Sequence, residues 1–378
     1  MVAKSVDDII EENENAFKHF FNEELLKRMG AALEKTAPSF NKKEFLAILP
    51  ELKTLEMKPR VQMIRDEMHR QLPQTYPQAL KILLKSAEVG KLDGFSLWPY
   101  MEFIQTYGFD DVKISLEALK KLTTLFTSEW AVRPFIIDHE KETLQFLKQC
   151  AVDKDVSVRR WASEGTRPRL PWGERLQSFV QDPSPALPIL EILKFDPELF
   201  VRKSVSNHLN DIAKDHPDLV IKILTQWKKE AGTEHAAKID WIIRHSLRTL
   251  IKNGNAKALK LIGVDHGAKV ALKDLKLTKK NLKLEERLDF EFKLQSLSAK
   301  PQKLVVDYIL HFVKANKKTS PKVFKLKNIE LPAKGTLNIA KSHHLKKVTT
   351  RSYFSGLHFL EIQVNGVILK KIEWKLAV

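Results

Sequence analysis

The sequence predicts a mainly α protein: an α-solenoid of HEAT-like repeats followed by a small all-β immunoglobulin-like sandwich. Three observations carry this. Apolar residues recur at helical spacing from Ile9 to about Ile262, a block of residues returns after 43 positions, and beyond Gly263 and Gly267 the apolar period falls to two.

In the first part, Leu116, Leu119, Leu122 and Leu125, or Ile189, Leu190 and Leu193, mark single helix faces. Asp153, Val158, Arg159, Arg160 and Ser163 are matched 43 positions later by Asp196, Val201, Arg202, Lys203 and Ser206, and Ile243-Arg244-His245-Ser246-Leu247 makes a weaker third copy. An Asp in the inter-helix turn and a Val-Arg opening the second helix of each pair fit paired-helix repeats whose second helices line a concave face. In the last part, Leu288, Phe290, Phe292 and Leu294 alternate with Asp289, Glu291, Lys293 and Gln295, as a half-buried strand requires. Further runs at 304–312, 323–326, 347–353 and 357–374 bring the expectation to about seven strands, and Asn365-Gly366 is the dipeptide of a tight type I′ hairpin. The expected domains are residues 1–264, helical, and 265–378, a small β-sandwich.

Charge divides unevenly. Residues 1–266 hold 40 Lys+Arg against 38 Asp+Glu, whereas residues 267–378 hold 24 against 9. Of those 24 cations only Arg287 and Arg351 are arginines, and lysines are mobile point charges suited to gripping phosphate rather than to reading base edges. Cys150 is the only cysteine, so no internal disulfide or cysteine-based metal cluster is expected. No run of apolar residues reaches spanning length, and Asp7 and Asp8 occupy what would be the n-region of a leader, so a cytoplasmic protein without membrane attachment is expected.

Residues 159–175 are unlike an ordinary helix connection, holding five of the fifteen arginines and two of the seven tryptophans. A helix entered near Val156 is stopped by Gly165 and Pro168, leaving Glu164 at its C-terminal end, where the helix dipole disfavours an anion. Tryptophans in helical repeats usually serve the core, and a Val-Arg arginine serves equally for salt bridges within the repeat.

The run Arg-Trp-Ala-Ser-Glu-Gly-Thr-Arg-Pro-Arg-Leu-Pro-Trp-Gly from Arg160 to Gly173 closely resembles the signature of the AlkC-type DNA alkylation repair glycosylases, HEAT-like enzymes related to AlkD. Glu129-Trp130-Ala131-Val132-Arg133-Pro134-Phe135 resembles the family's upstream element, and Asn207-His208-Leu209-Asn210-Asp211-Ile212 its downstream helix. The longer branch of the family carries a C-terminal immunoglobulin-like domain. The resemblance implies excision of cationic bases such as 3-methyladenine from duplex DNA, with the base engaged in bent DNA rather than flipped into a deep pocket. A cationic base is already a good leaving group, so what is needed is negative charge near the deoxyribose and an acceptor that orients water. By similarity Glu164 is the main catalytic carboxylate, with Glu129 and Asp211 close by, and Trp172, with Trp161, offers an aromatic face to the lesion. Arg133, Arg159, Arg160, Arg167, Arg169, Arg202 and Lys203 are assigned to the DNA backbone. Glu129 four residues before Arg133, and Asp211 beside Lys214 or His208, also suit plain ion pairs.

With no lysine identifiable as a Schiff-base nucleophile, a monofunctional enzyme is expected, working as a monomer without cofactor. His343-His344 and Asp138-His139 lack further ligands at useful spacing, so no metal is expected. The alternative is a HEAT-repeat scaffold that holds damaged or bent duplex without chemistry, or a solenoid whose lysine-rich tail meets an acidic partner.

Overall fold

The computed structural model describes residues 17–348 and 351–378. α-Helices run from Glu23–Thr36 to Ala256–Leu261, and eight strands follow: β1 Val270–Leu277, β2 Asn281–Lys283, β3 Arg287–Ser296, β4 Gln302–Val313, β5 Thr319–Leu331, β6 Thr336–His344, β7 Gly356–Val364 and β8 Val367–Ala377. Helix gives way to strand between Leu261 and Val270. Compact units nevertheless divide at His208 and Leu209, because the last helices pack onto strand β4: Leu259, Val264 and Val305 form one small core.

The 43-residue repeat has a structural counterpart. Asp153 accepts from the amide of Asp155, and Asp196 from that of Glu198, each at 2.9 Å. Arg159 then donates to the carbonyls of Asp153 and Lys154, and Arg202 to those of Asp196 and Pro197, at 2.7–3.1 Å. Each Val-Arg arginine thus caps the turn that precedes its own helix, satisfying carbonyls that would otherwise be orphaned. Arg159 also forks onto Asp196 of the next repeat at 2.6 and 3.2 Å.

The strands form two sheets, β1-β3-β6 and β2-β8-β7-β4-β5. Leu288, Phe290, Phe292 and Leu294 of β3 face Leu304, Val306, Tyr308, Leu310 and Phe312 of β4 in one core, as the period of two requires. Asn365 and Gly366 both have positive φ, 49° and 81°, and join β7 to β8 as the dipeptide predicts. Gly366 also lies against Gly254, where a Cβ would meet its neighbour's Cα at 2.7 Å or closer. Of the run 347–353, the described residues form no named strand and make a single bridge, Val348 to Arg351. Strands β1, β2 and β6, short or interrupted by polar residues, escaped the apolar pattern. Among the described residues no helix is long and apolar enough to cross a membrane.

Asp307 of β4 is buried opposite Lys325 and Gln363. Burial pushes its carboxyl up to about 6, although Lys252 and Lys325 pull it down. A raised carboxyl favours the protonated fold, so this site destabilises above pH 6 and the penalty fades as pH falls towards 4. Asp307→Asn is expected to raise stability by about 2 kcal/mol at pH 7.5, with the advantage over the parent shrinking by pH 4.5. Urea midpoints at the two pH values check this, and a pH-independent difference contradicts it.

Candidate active site

The segment after the helix Val156–Gly165 is organised by one side chain. Arg133, at the start of the helix Arg133–Asp138, is fully buried, and its guanidinium donates to the carbonyls of Gly165 and Arg167 at 2.9 Å and to that of Glu174. A five-donor planar fork suits this task and a lysine does not. Gly173 leaves room for it, since a Cβ there would stand 3.1 Å from Arg133 Cδ. The helix stops after Gly165, whose added Cβ would meet Val132 at 2.7 Å.

Glu164 is 5% exposed and held on both oxygens: Arg167 donates to Oε1 at 2.5 Å and the Ser204 hydroxyl to Oε2 at 2.5 Å. Glu129, 7% exposed, accepts at Oε2 from Thr127 Oγ1 and Arg160, both at 2.8 Å, and its Oε1 accepts no hydrogen bond among the described residues. Arg160 joins the two acids, lying 3.7 Å from Glu164 Oε1, and its guanidinium sits 4.9 Å over the ring of Phe200. Two carboxylates and two guanidiniums therefore form one largely buried cluster. The i,i+4 partner expected for Glu129, Arg133, is engaged elsewhere, and Arg160 takes its place.

His208 completes this part. It is fully buried with Nδ1 at 3.0 Å from the Ser163 carbonyl, so that nitrogen carries the proton. Burial, with Arg167 and Arg133 nearby, lowers its pKa to about 3, which keeps the ring neutral. Asp211, also buried, takes an ion pair from Lys214 at 3.0 Å.

Trp172 is the exposed aromatic of the loop, 64% accessible, with φ at +62°, a conformation bulky residues rarely adopt. Its ring stacks on Trp130 at 6.4 Å, and the Trp130 indole N–H donates to the Pro171 carbonyl at 3.1 Å. Trp130 stacks in turn on Trp98 at 4.9 Å.

Several expectations need correction. Trp161 is fully buried against Phe146 and presents no face to a ligand. Arg133 is a structural clamp, fully buried with its guanidinium on backbone carbonyls. Arg159 and Arg202 cap repeat turns, and Arg167 is 7% exposed beside Glu164, so none offers a free guanidinium to the backbone. Lys203 is exposed and Arg169 half-buried. Sequence reasoning missed Ser204, Thr127 and Phe200. Ser204 follows Lys203 in the repeat, but nothing in the spacing showed that its hydroxyl would reach Glu164. Among the described residues no group of three or more His, Cys, Asp or Glu side chains could hold a metal ion.

Arg133→Met is expected to cost about 3 kcal/mol or more, because three buried carbonyls lose their donor. Urea unfolding and protease cleavage within 167–175 measure this, and an unchanged midpoint with an uncut loop would remove Arg133 from its organising role.

A family model for DNA alkylation repair enzymes matches residues 111–250, and the model for the C-terminal Ig-like domain of the uncharacterised protein YhaZ matches residues 271–378. The uncharacterised protein YhaZ of Bacillus subtilis (strain 168) is 36% identical over 362 residues, 95% of this chain and 99% of that one. The solved structure of Pseudomonas fluorescens alkylpurine DNA glycosylase AlkC, bound to DNA containing an abasic site analog, is 39% identical, covers 96% of this chain and 100% of that one, and superposes with a TM-score of 0.90. Streptococcus mutans AlkD2, at 20% identity and a TM-score of 0.33, is too distant to bear on the fold. With the paired carboxylates, the arginine-rich loop and the terminal β-domain all in place, this chain belongs to the AlkC-type family of DNA alkylation repair enzymes, in the long form that ends in an Ig-like domain.

Proposed function

We propose that this chain is a monofunctional DNA glycosylase that hydrolyses the N-glycosidic bond of cationic alkylated bases, 3-methyladenine among them, in duplex DNA, leaving an abasic site. The observation that carries the reading is the pair Glu129 and Glu164, two largely buried carboxylates fixed by Thr127, Ser204, Arg160 and Arg167. As the bond from C1′ to the base nitrogen breaks, its electron pair neutralises the departing cationic base and positive charge grows on the sugar. Preorganised carboxylates stabilise that charge without having to reorient. Water adds its oxygen to C1′ and gives its proton to a carboxylate. Glu164, with both oxygens held, suits fixed negative charge. Glu129 keeps Oε1 open and suits orientation of the water, with Asp211 as a third carboxylate. Trp172 meets the cationic base or the sugar with its exposed ring. Exposure of Trp172 on the surface supports engagement of the lesion without a deep pocket.

The helical domain, residues 1–264, would carry this chemistry, and the basic sandwich, residues 265–378, would clamp the duplex through its lysines, as would Lys203 and Arg169. The protein would act as a monomer in the cytoplasm, with the nucleoid as its site of work, and without a cofactor.

One observation favours a scaffold instead: Arg160 and Arg167 neutralise both acids, which lessens their cost to a protein that only grips phosphate. Glu164→Gln decides between the two. It is expected to bind DNA containing an abasic-site analogue within about threefold of the parent and to lose about 100-fold or more in release of 3-methyladenine. Equal loss of binding and release, or loss of neither, contradicts the catalytic assignment.

The clamp has its own test. Lys314, Lys317 and Lys318 lie together in the exposed turn between β4 and β5. Changing all three to Gln is expected to weaken duplex binding and to reduce the slope of log affinity against log salt by about 0.9 for each phosphate no longer neutralised. An unchanged slope, measured by fluorescence anisotropy, removes this turn from the DNA interface.

A further inference from the structure

Aromatic rings accumulate on one face of the helical region, beyond what the reaction needs. Phe17 and Phe20 are 63% and 40% exposed in the short turn Phe17–Phe20, and both lie against Phe95, at 5.7 and 5.8 Å between centroids. Phe17 also meets Trp172 edge-on at 6.5 Å, and Trp172 continues into the stack of Trp130 and Trp98. The rings thus run without a break from the arginine-rich loop to Phe20. Large exposed aromatics are costly on a soluble surface and mark contact sites.

From this ledge we infer a binding site for an unpaired nucleobase of the DNA, namely the base opposite the lesion, orphaned when its damaged partner is lost. The inference rests on the reading of the chain as a DNA glycosylase. Flat rings without converging hydrogen-bond donors take any base by its face, which is what a site that must accept every sequence context requires. An orphaned base has no pairing left to lose, so it is the base most cheaply turned out of the stack. Trp130 acts here as a positioning residue: its N–H holds the Pro171 carbonyl and its ring supports Trp172, keeping the exposed ring in place at a positive φ. Trp172, the ring assigned to the lesion, is itself part of this ledge, so the occupant is a base of the DNA held at the reaction centre rather than a second copy of the chain.

The test uses the full chain and a duplex in which 2-aminopurine stands opposite a tetrahydrofuran abasic analogue. Wild type is expected to quench the probe by stacking. Phe17→Ala with Phe20→Ala is expected to relieve the quench and to weaken binding of this duplex about tenfold, while binding of the intact duplex changes less than twofold. Phe17→Trp, which keeps an aromatic face, is expected to retain both the quench and the affinity. Trp130→Phe keeps a ring but loses the donor to Pro171, and is expected to reduce the quench while far-ultraviolet circular dichroism stays unchanged. Equal weakening on both duplexes, no weakening on either, or a wild-type dimer that the double alanine variant converts to monomer, overturns the inference. Base release from methylated DNA, measured alongside, separates the two readings. Release with an unquenched probe overturns the ledge alone, whereas a quenched probe without release overturns the glycosylase reading and supports the ledge.

Discussion

The buried guanidinium of Arg133 is the constraint on which the site depends. Taking an arginine out of water is expensive, and the cost is offset only where the fork finds good acceptors. Here the acceptors are the carbonyls of Gly165, Arg167 and Glu174, the backbone of the loop that leaves the helix of Glu164. Fixing those carbonyls fixes the end of the helix, and hence Glu164. It also fixes the turn that puts Trp172 at a positive φ with its ring in solvent. Two prolines and two close-packed glycines then leave the loop little freedom.

Arginine and lysine divide their labour along the chain. Arg60 repeats the device of Arg133, donating to the carbonyls of Leu55, Lys18 and Lys53. Arg159 and Arg202 cap repeat turns, and Arg160 and Arg167 hold acids. The planar fork goes to backbone and carboxylate geometry, where its rigidity matters. The lysines of the strand region stay largely exposed, where a mobile charge suffices for a phosphate. Glu129 and Glu164 are costly to bury, and each has a guanidinium within hydrogen-bond reach to offset that cost.

Much of this was legible beforehand. The period of 43 and the Val-Arg pairs foretold the repeats, and the alternation in Leu288 to Leu294 foretold β3, because core faces write their period into the sequence. The motif from Arg160 to Gly173 led to Glu164 and to the exposed Trp172. What stayed hidden was the destination of long side chains. Nothing local distinguishes Arg133, which turns inward to carbonyls, from Lys203, which is exposed, and Arg133, Arg159 and Arg202 were assigned to phosphate for that reason although their guanidiniums serve backbone carbonyls. Ser204 was invisible because its partner Glu164 lies 40 residues away, and Thr127 because its hydroxyl also takes a hydrogen bond from Arg160, 33 residues on, pairings that only tertiary packing creates. The short or polar-interrupted strands β1, β2 and β6 lacked the sustained apolar alternation on which strand reading relies.

Under the proposed function, fixed carboxylates act on a leaving group that is already positive. The rate of release of a cationic base against that of a neutral lesion, 3-methyladenine against hypoxanthine, from otherwise identical duplexes under single-turnover conditions, measures this. Rapid release of the cation is expected and, for the neutral base, release no faster than in the absence of protein. Comparable enzymatic rates for both would contradict it, because a neutral base needs a general acid that a cluster of guanidinium-paired carboxylates does not supply.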